Sequence, residues 1–270
     1  MAFEIGKGCK IHSTAVINVK HGFIGDRSVV NQGAIIEGHR VEIGHEAFID
    51  RNSVVGGGSC FDQCAYLIAG DWLHMGLNSQ INIARGVKIG NEFGCGIETK
   101  IFTHGAYLDS YSLGAPVQWS GVEIGDNVWL PNAWVNPGVV IGSNVIVAAR
   151  SLIRKSLPSN CLAAGNPAKV IRDDYLPHVL SMDQKSDLVN LIISQIANRC
   201  DKSFETAILR FDILNETLCV EAPSGLTHFD LLQRKISGKV NKISLLTKDQ
   251  LRRNGIRFRF FDNDGVWHPW

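Results

Sequence analysis

Between residues 5 and 153 an aliphatic side chain keeps returning at every sixth position. Ile5, Ile11 and Ile17 form one run, and Ile24, Val30 and Ile36 the next. A longer run passes through Ile43, Ile49, Val55, Phe61, Leu67 and Leu73, followed by Ile83, Ile89, Cys95 and Ile101. Ile124 with Leu130, and Ile141 with Val147 and Ile153, complete the series. This period matches neither the 3.6 residues of a helical turn nor the two-residue alternation of a half-buried strand. It fits short flat strands joined by tight corners and stacked as a parallel β-solenoid, with each aliphatic residue pointing into the stack. Gly, Asn and Asp beside them supply the corners, because they tolerate the backbone of a sharp bend. The register slips by one residue between Ile17 and Ile24, by one between Ile36 and Ile43, and by four between Leu73 and Ile83. These slips predict bulged corners or small loops. Leu130 and Ile141 are eleven apart where the period demands twelve, so one face of that coil is expected to be a residue short.

Residues 105–121, GAYLDSYSLGAPVQWSG, break the repeat between two clean runs. A loop thrown out of a rigid stack is where function tends to collect. Tyr107, Tyr111 and Trp119 argue against a merely disordered excursion. Past Ile153 the repeat fades through LPSNCLAAGNPAKVIRD. Leu176, Val179, Leu180, Leu188, Leu191, Ile192 and Ile196 then recur at helical spacings. After Asp201, AILRFDIL and ETLCVEAP read as strands, LTHFDLLQRKISG as a short helix, KISLLT as a strand and GIRFRFF as a last strand. The expected fold is therefore mainly β. A solenoid domain covers 1–172 with its loop at 105–121, and a C-terminal helix plus a small α+β appendage covers 173–270.

The chain of 270 residues has a formal net charge of +1, which gives no reason to expect nucleic acid or an anionic membrane as partner. No apolar run approaches the ~20 residues of a membrane span, and MAFEIGKGCK enters the repeat without the apolar core of a signal peptide. The seven cysteines are scattered and odd in number, and Cys95 takes an inward slot. Reduced thiols in a cytoplasm are expected rather than zinc or a disulfide framework.

A six-residue repeat interrupted by a loop after THG at 103–105, then IGDNVW from Ile124 and AAGNPAKVIR ending at Arg172, resembles the hexapeptide-repeat acyltransferases. Within them the likeness is to the galactoside and maltose O-acetyltransferases and their sugar- and antibiotic-modifying relatives, over about residues 1–172. The resemblance implies a left-handed parallel β-helix, a homotrimer with active sites between neighbouring copies, and acetyl-CoA in the groove between them, with no metal required. The implied reaction moves an acetyl group to a hydroxyl or amino group of a sugar or sugar-containing acceptor. His104 stands where the family carries its catalytic histidine. Attack on a thioester needs a group that takes the acceptor's proton, and an imidazole titrates close to neutral pH.

The resemblance also implies further site residues. Asn78, eleven positions before Ile89, matches an acceptor-contacting asparagine, with Asn82 as a competing match. Trp129 matches a tryptophan that lines the active site, and Trp119 and Tyr107 in the loop are placed to cover an acceptor ring. Small residues at Ala148, Ala149, Ala163, Ala164 and Gly165 would let the pantetheine arm lie close to the main chain. Arg154, Lys155, Lys169 and Arg172 would then meet the phosphates of the coenzyme. Two other readings compete. A γ-class carbonic-anhydrase-like zinc protein shares this solenoid, and His74 and His104 could contribute ligands. The position of that family's final histidine is Asp109 here, whereas zinc with an open water site wants three good ligands. A non-catalytic solenoid scaffold is the other. His12, His39 and His45 fall at corners and are expected to face solvent, and the glycines at 56–58 form no phosphate loop because no Lys-Ser/Thr follows.

Overall fold

The computed structural model describes residues 3–200 and 206–258. From Phe3 to Ile153 short parallel strands return in turn to three faces. Ile5, Ile24, Ile43, Ala69, Ile89, Ile124 and Ile141 are the successive inward rungs of the first face. Ile11, Val30, Ile49, Met75, Cys95 and Leu130 are the rungs of the second. Ile17, Ile36, Val55, Ile81, Ile101, Val135 and Ile153 are those of the third. From Ile24 onward these rungs are buried in one continuous core. The first and third faces form a single curled 12-stranded sheet, because Val16–Ile24 and Ile35–Ile43 run unbroken round the edge between them. The second face is a nine-stranded sheet. Corners take a left-handed residue, often Asn: Asn127, Asn144 and Asn160 have φ of 55°, 58° and 63°. Stacked one above another, they pass an amide ladder along the corner, Asn127 Nδ2 to Asn144 Oδ1 at 3.1 Å and Asn144 Nδ2 to Asn160 Oδ1 at 2.8 Å.

Extra residues leave the stack at one edge only, that between the third and first faces. The rung-to-rung step there is seven residues at Ile17–Ile24 and Ile36–Ile43, and fourteen from Val55 to Ala69. It is eight from Ile81 to Ile89 and twenty-three from Ile101 to Ile124. This corrects the expected slip between Leu73 and Ile83. An excess of eight residues after Val55 mimics one more turn of the repeat displaced by two. Phe61, expected inside, is instead exposed beneath the Lys20 ammonium, 5.5 Å from its ring centroid. Leu67, Leu73 and Ile83 are buried but stand beside the rungs Ala69, Met75 and Ile81 rather than being rungs. The missing residue is lost at the corner after Leu130, which reaches the rung Val135 in five steps.

The outward rows of the three faces differ. The first carries Glu4, Phe23, Glu42, Ile68, Lys88, Glu123 and Val140. Lys10, Val29, Phe48, His74, Gly94, Trp129, Ile146 and Leu162 lie on the second, and Val16, Ile35, Val54, Gln80, Lys100, Trp134 and Leu152 on the third. The first row thus mixes charged and apolar residues, and the second and third are the more apolar, with Trp129 41% and Trp134 52% exposed.

The chain divides into two compact units between His178 and Val179. In the second unit α1 (Met182–Arg199) starts at Ser181, which forms a reciprocal capping box with Gln184. Val189, Ile192 and Ile196 are its buried stripe. Leu176, Val179 and Leu180 precede the cap and Leu191 is exposed, contrary to the helical pattern expected of them. Strands Ile208–Asp212, Thr217–Ala222, Gly225–Asp230 and Lys235–Gly238 form an antiparallel meander. The last two overturn the helix expected over LTHFDLLQRKISG. Thr227 and Phe229 alternate inward, and Asp230 turns the chain by accepting from the Leu232 and Gln233 amides. KISLLT, expected as a strand, opens α2 (Lys242–Arg253), since Asn241 and Ser244 cap it reciprocally and Ile243, Thr247 and Leu251 line its buried face. Of the expected last strand, residues 255–258 are not strand, and 259–261 lie outside the described residues.

Candidate active site

His104 sits at the edge that carries every insertion, where the chain leaves the third face for the 105–121 loop. The base of that loop is closed by antiparallel pairing of His104 with Trp119 and of Gly105 with Gln118. The imidazole lies flat against the Trp119 indole, with centroids 4.7 Å apart and planes 12° apart. Its Nδ1 is 3.1 Å from Oδ1 of Asn82, a residue only 4% exposed. The same Oδ1 accepts the Ala84 amide at 3.3 Å and the buried Thr103 hydroxyl at 2.5 Å, and Thr103 Oγ1 in turn accepts the Arg85 amide at 3.2 Å. A backbone N–H can only donate, so the atom facing Ala84 is the amide oxygen. His104 therefore donates from Nδ1 and keeps the lone pair on Nε2. The Arg85 guanidinium lies 4.5 Å from the Trp119 ring centroid.

Asn82, not Asn78, is thus the asparagine that meets the histidine. Asn78 is a corner residue with φ of 57° whose carbonyl accepts Lys100 Nζ at 2.9 Å. Trp119 lies between His104 and Arg85 and is 37% exposed. Tyr107 is 98% exposed at the loop's outer part. Trp129 projects from the second face, its indole covering Gly94, where an added Cβ would lie 2.8 Å from the ring. That face is opposite the edge bearing His104 in the same chain. Arg85 and Thr103 carry no signal in the sequence, since what brings them together is the stacking of corners whose lengths differ.

Along the same edge, the corner after Val135 stacks on the loop base, with Gly138 donating to the Gly121 carbonyl at 3.1 Å and Gln118 Nε2 to that of Pro137 at 3.0 Å. One coil further, Arg154 and Lys155 emerge after Ile153. At about 4.8 Å per coil they lie about 10 Å along the axis from His104. Strands Leu162–Gly165 and Ala168–Arg172 fold into a hairpin that sets Lys169 opposite Ala164. Arg154, Lys155, Pro167, Ala168 and Lys169 line a cleft of about 340 Å³. Ala148, Ala149, Ala164 and Gly165 are outside that lining, at the neighbouring edge between the second and third faces, and Ala163 is fully buried. Arg172, at the far end of the hairpin, is outside that lining and places its guanidinium 5.3 Å from the Tyr175 ring.

The other histidines singled out in the sequence sit elsewhere. His74 stacks on Phe48 on the second face at 5.0 Å, and Asp109 is occupied in its own turn. Hydrogen bonds from the Ser112 backbone and hydroxyl, then from the Tyr111 amide, hold the Asp109 carboxyl below the usual carboxylate range. Among the described residues no group of three or more His, Cys, Asp or Glu is placed to hold a metal ion. His12 and His45 are exposed, but His39, expected to face solvent, is half-buried with its Nδ1 enclosed and its ring edge-on to His21 at 5.2 Å.

No family model matches the chain. It is 33% identical over 115 residues to a putative lipopolysaccharide biosynthesis O-acetyl transferase of Escherichia coli, covering 38% of this chain and 55% of that protein. It is 45% identical over 53 residues to the galactoside O-acetyltransferase of the same species, covering 19% and 26%. The chain resembles the hexapeptide-repeat O-acetyltransferases. It spans about half the length of the first of these relatives and about a quarter of the second. Among solved structures, a maltose O-acetyltransferase from Clostridium difficile matches at 26% identity and a TM-score of 0.34, over 52% of this chain and 69% of that one. No helix among the described residues is long and apolar enough to cross a membrane.

Proposed function

We propose that this chain is an acetyl-CoA-dependent acyltransferase that acetylates a hydroxyl or amino group of a sugar or sugar-containing acceptor, with His104 as general base. One observation carries this reading. An imidazole with its Nδ1 proton tied to a buried amide has its Nε2 lone pair at the edge that also bears a cationic cleft. Nε2 takes the acceptor's proton while the acceptor oxygen or nitrogen attacks the thioester carbonyl. The carbon–sulfur bond then breaks and the proton passes from His104 to the departing CoA sulfur, with no acyl group on the enzyme. Arg154, Lys155 and Lys169 suit the phosphates of the coenzyme. The roughly 10 Å back to His104 along this edge is a distance the pantetheine arm spans; Ala148, Ala149, Ala164 and Gly165 lie at the next edge, so a role for them calls for the coenzyme on a neighbouring copy's side of the coil. A sugar acceptor is supported by the names of the relatives, a lipopolysaccharide O-acetyl transferase and a galactoside O-acetyltransferase.

The assembly we propose is a homotrimer of left-handed coils. The exposed Trp129 and Trp134 on the second and third faces suit packing of three copies side by side, since exposed apolar surface marks interaction sites. Trp129 points away from the His104 of its own chain, so a role in lining an active site requires the His104 of a neighbouring copy. All seven cysteines are unbridged, which suits a reducing cytoplasm. In the test, His104→Ala keeps its affinity for CoA by calorimetric titration but loses ~10²-fold or more in turnover, the usual scale of general-base losses. Turnover within a few-fold of wild type removes His104 from this role.

A further inference from the structure

The edge that bears His104 is notched. The corner through residues 82–86 belongs to an eight-residue step, while the coil before it takes fourteen residues and the coil after it twenty-three. Two long corners thus flank a short one, in which Asn82, Ile83 and Ala84 are buried and Arg85 is part-exposed. Asn82 spends its Oδ1 on three donors, while its Nδ2 faces the Gly57 backbone, where a Cβ would come within 2.8 Å. Arg85 lays its guanidinium on Trp119, gives Nη1 to the Ala84 carbonyl at 2.6 Å, and reaches Asp62 at only 3.8 Å. That ion pair is loose and wet, with side-chain exposures of 31% and 54%, and such pairs contribute little. A planar, part-exposed guanidinium with spare N–H donors holds a carboxylate or phosphate bidentately far better than it holds a distant, solvated aspartate.

We propose that this notch is an acceptor subsite for an anionic sugar, in which Arg85 binds a carboxylate or phosphate of the acceptor and Asp62 is the carboxylate displaced. The proposal rests on the reading of His104 as the base that faces the acceptor, and it narrows that acceptor from sugars in general to charged ones.

The test uses three ligands on one ring: methyl galactopyranoside, its uronate and its 6-phosphate. Their affinities for the full-length protein are measured by calorimetric titration at two salt concentrations. Wild type is expected to bind at least one anionic form ~10-fold or more tightly than the neutral ring, with a salt-sensitive preference. Arg85→Gln abolishes the ratio, and Asp62→Asn increases it. Any disturbance of the ring stack by Arg85→Gln affects all three ligands alike and cancels in the ratio. Equal affinity for the three ligands, or a preference that survives Arg85→Gln, overturns the proposal. The uronate and phosphate arms identify which anion the site takes. Acetyl transfer to the same compounds is followed separately: an anion preference in binding without transfer from acetyl-CoA leaves the subsite standing and removes the acyltransferase reading.

Discussion

Replacing Asn82 with alanine takes one acceptor away from three donors at once: His104 Nδ1, the Thr103 hydroxyl and the Ala84 amide. Thr103 and Ala84 are fully buried, and a buried donor left unpaired costs ~1–3 kcal/mol. The Thr103 hydroxyl can rotate and the Ala84 amide cannot, so the expected loss of stability is ~2–4 kcal/mol. The effect on catalysis is separable. Loss of one neutral hydrogen bond of ~1 kcal/mol is worth ~5-fold in rate. A ring freed to tilt or to change tautomer raises the total to ~10–100-fold, limited because Trp119 still covers its face. The cationic cleft is two coils away, so the Michaelis constant for acetyl-CoA should stay within ~2-fold. Steady-state thiol release, with circular dichroism and melting to confirm the fold, measures both quantities. Asn82→Asp is the companion variant. Its carboxylate still accepts from Nδ1 and should recover much of the rate, while favouring the charged imidazole and moving the rising limb of the pH–rate profile to higher pH. A folded Asn82→Ala protein with turnover within twofold of wild type would refute the claim that this amide sets the histidine.

Two further outcomes are expected. Arg154→Ala combined with Lys169→Ala should raise the Michaelis constant for acetyl-CoA by ~10-fold or more, with turnover little changed, because exposed cations to phosphate bind without touching the reacting atoms; an unaltered constant assigns them to the surface alone. Burial pushes the Cys95 thiol up to about 11 from an ordinary 9.0. The unfolded chain then releases this proton first, so the stability that the neutral thiol contributes is present below pH 9.0 and is lost as the pH rises towards 11. Melting temperatures across that range should fall more steeply for wild type than for Cys95→Ala, and equal slopes would contradict the burial of the thiol.

The solenoid is legible in the sequence because one physical constraint, an inward side chain on each flat face, repeats with a fixed period. What the period hides is where a corner is long. The excess after Val55 is close enough to one more turn that Phe61, Leu67 and Leu73 keep the rhythm while the true rungs pass to Ala69 and Met75. His104 is legible from its position at the start of the interruption. Its contacts are less so: Asn82 competes with Asn78 and Trp119 is named only for an acceptor ring, while Arg85 has no signal, because corner lengths and antiparallel closure of the loop decide which of them meet. The appendage reads less well because its segments are short and their caps decide them. KISLLT has strand-like composition, yet Asn241 and Ser244 nucleate a helix there. The stretch from Gly225 to Gly238 has helix-like residues, yet the Asp230 turn folds it into a hairpin.

A structure of the protein with acetyl-CoA bound tests the central claim most directly. The account predicts the coenzyme phosphates on Arg154, Lys155 and Lys169, with the thioester lying back along the edge so that an acceptor atom ~3 Å from its carbonyl carbon also reaches His104 Nε2. Coenzyme phosphates bound away from Arg154, Lys155 and Lys169, or a thioester out of reach of His104 in its own chain and in every neighbouring copy, would contradict it.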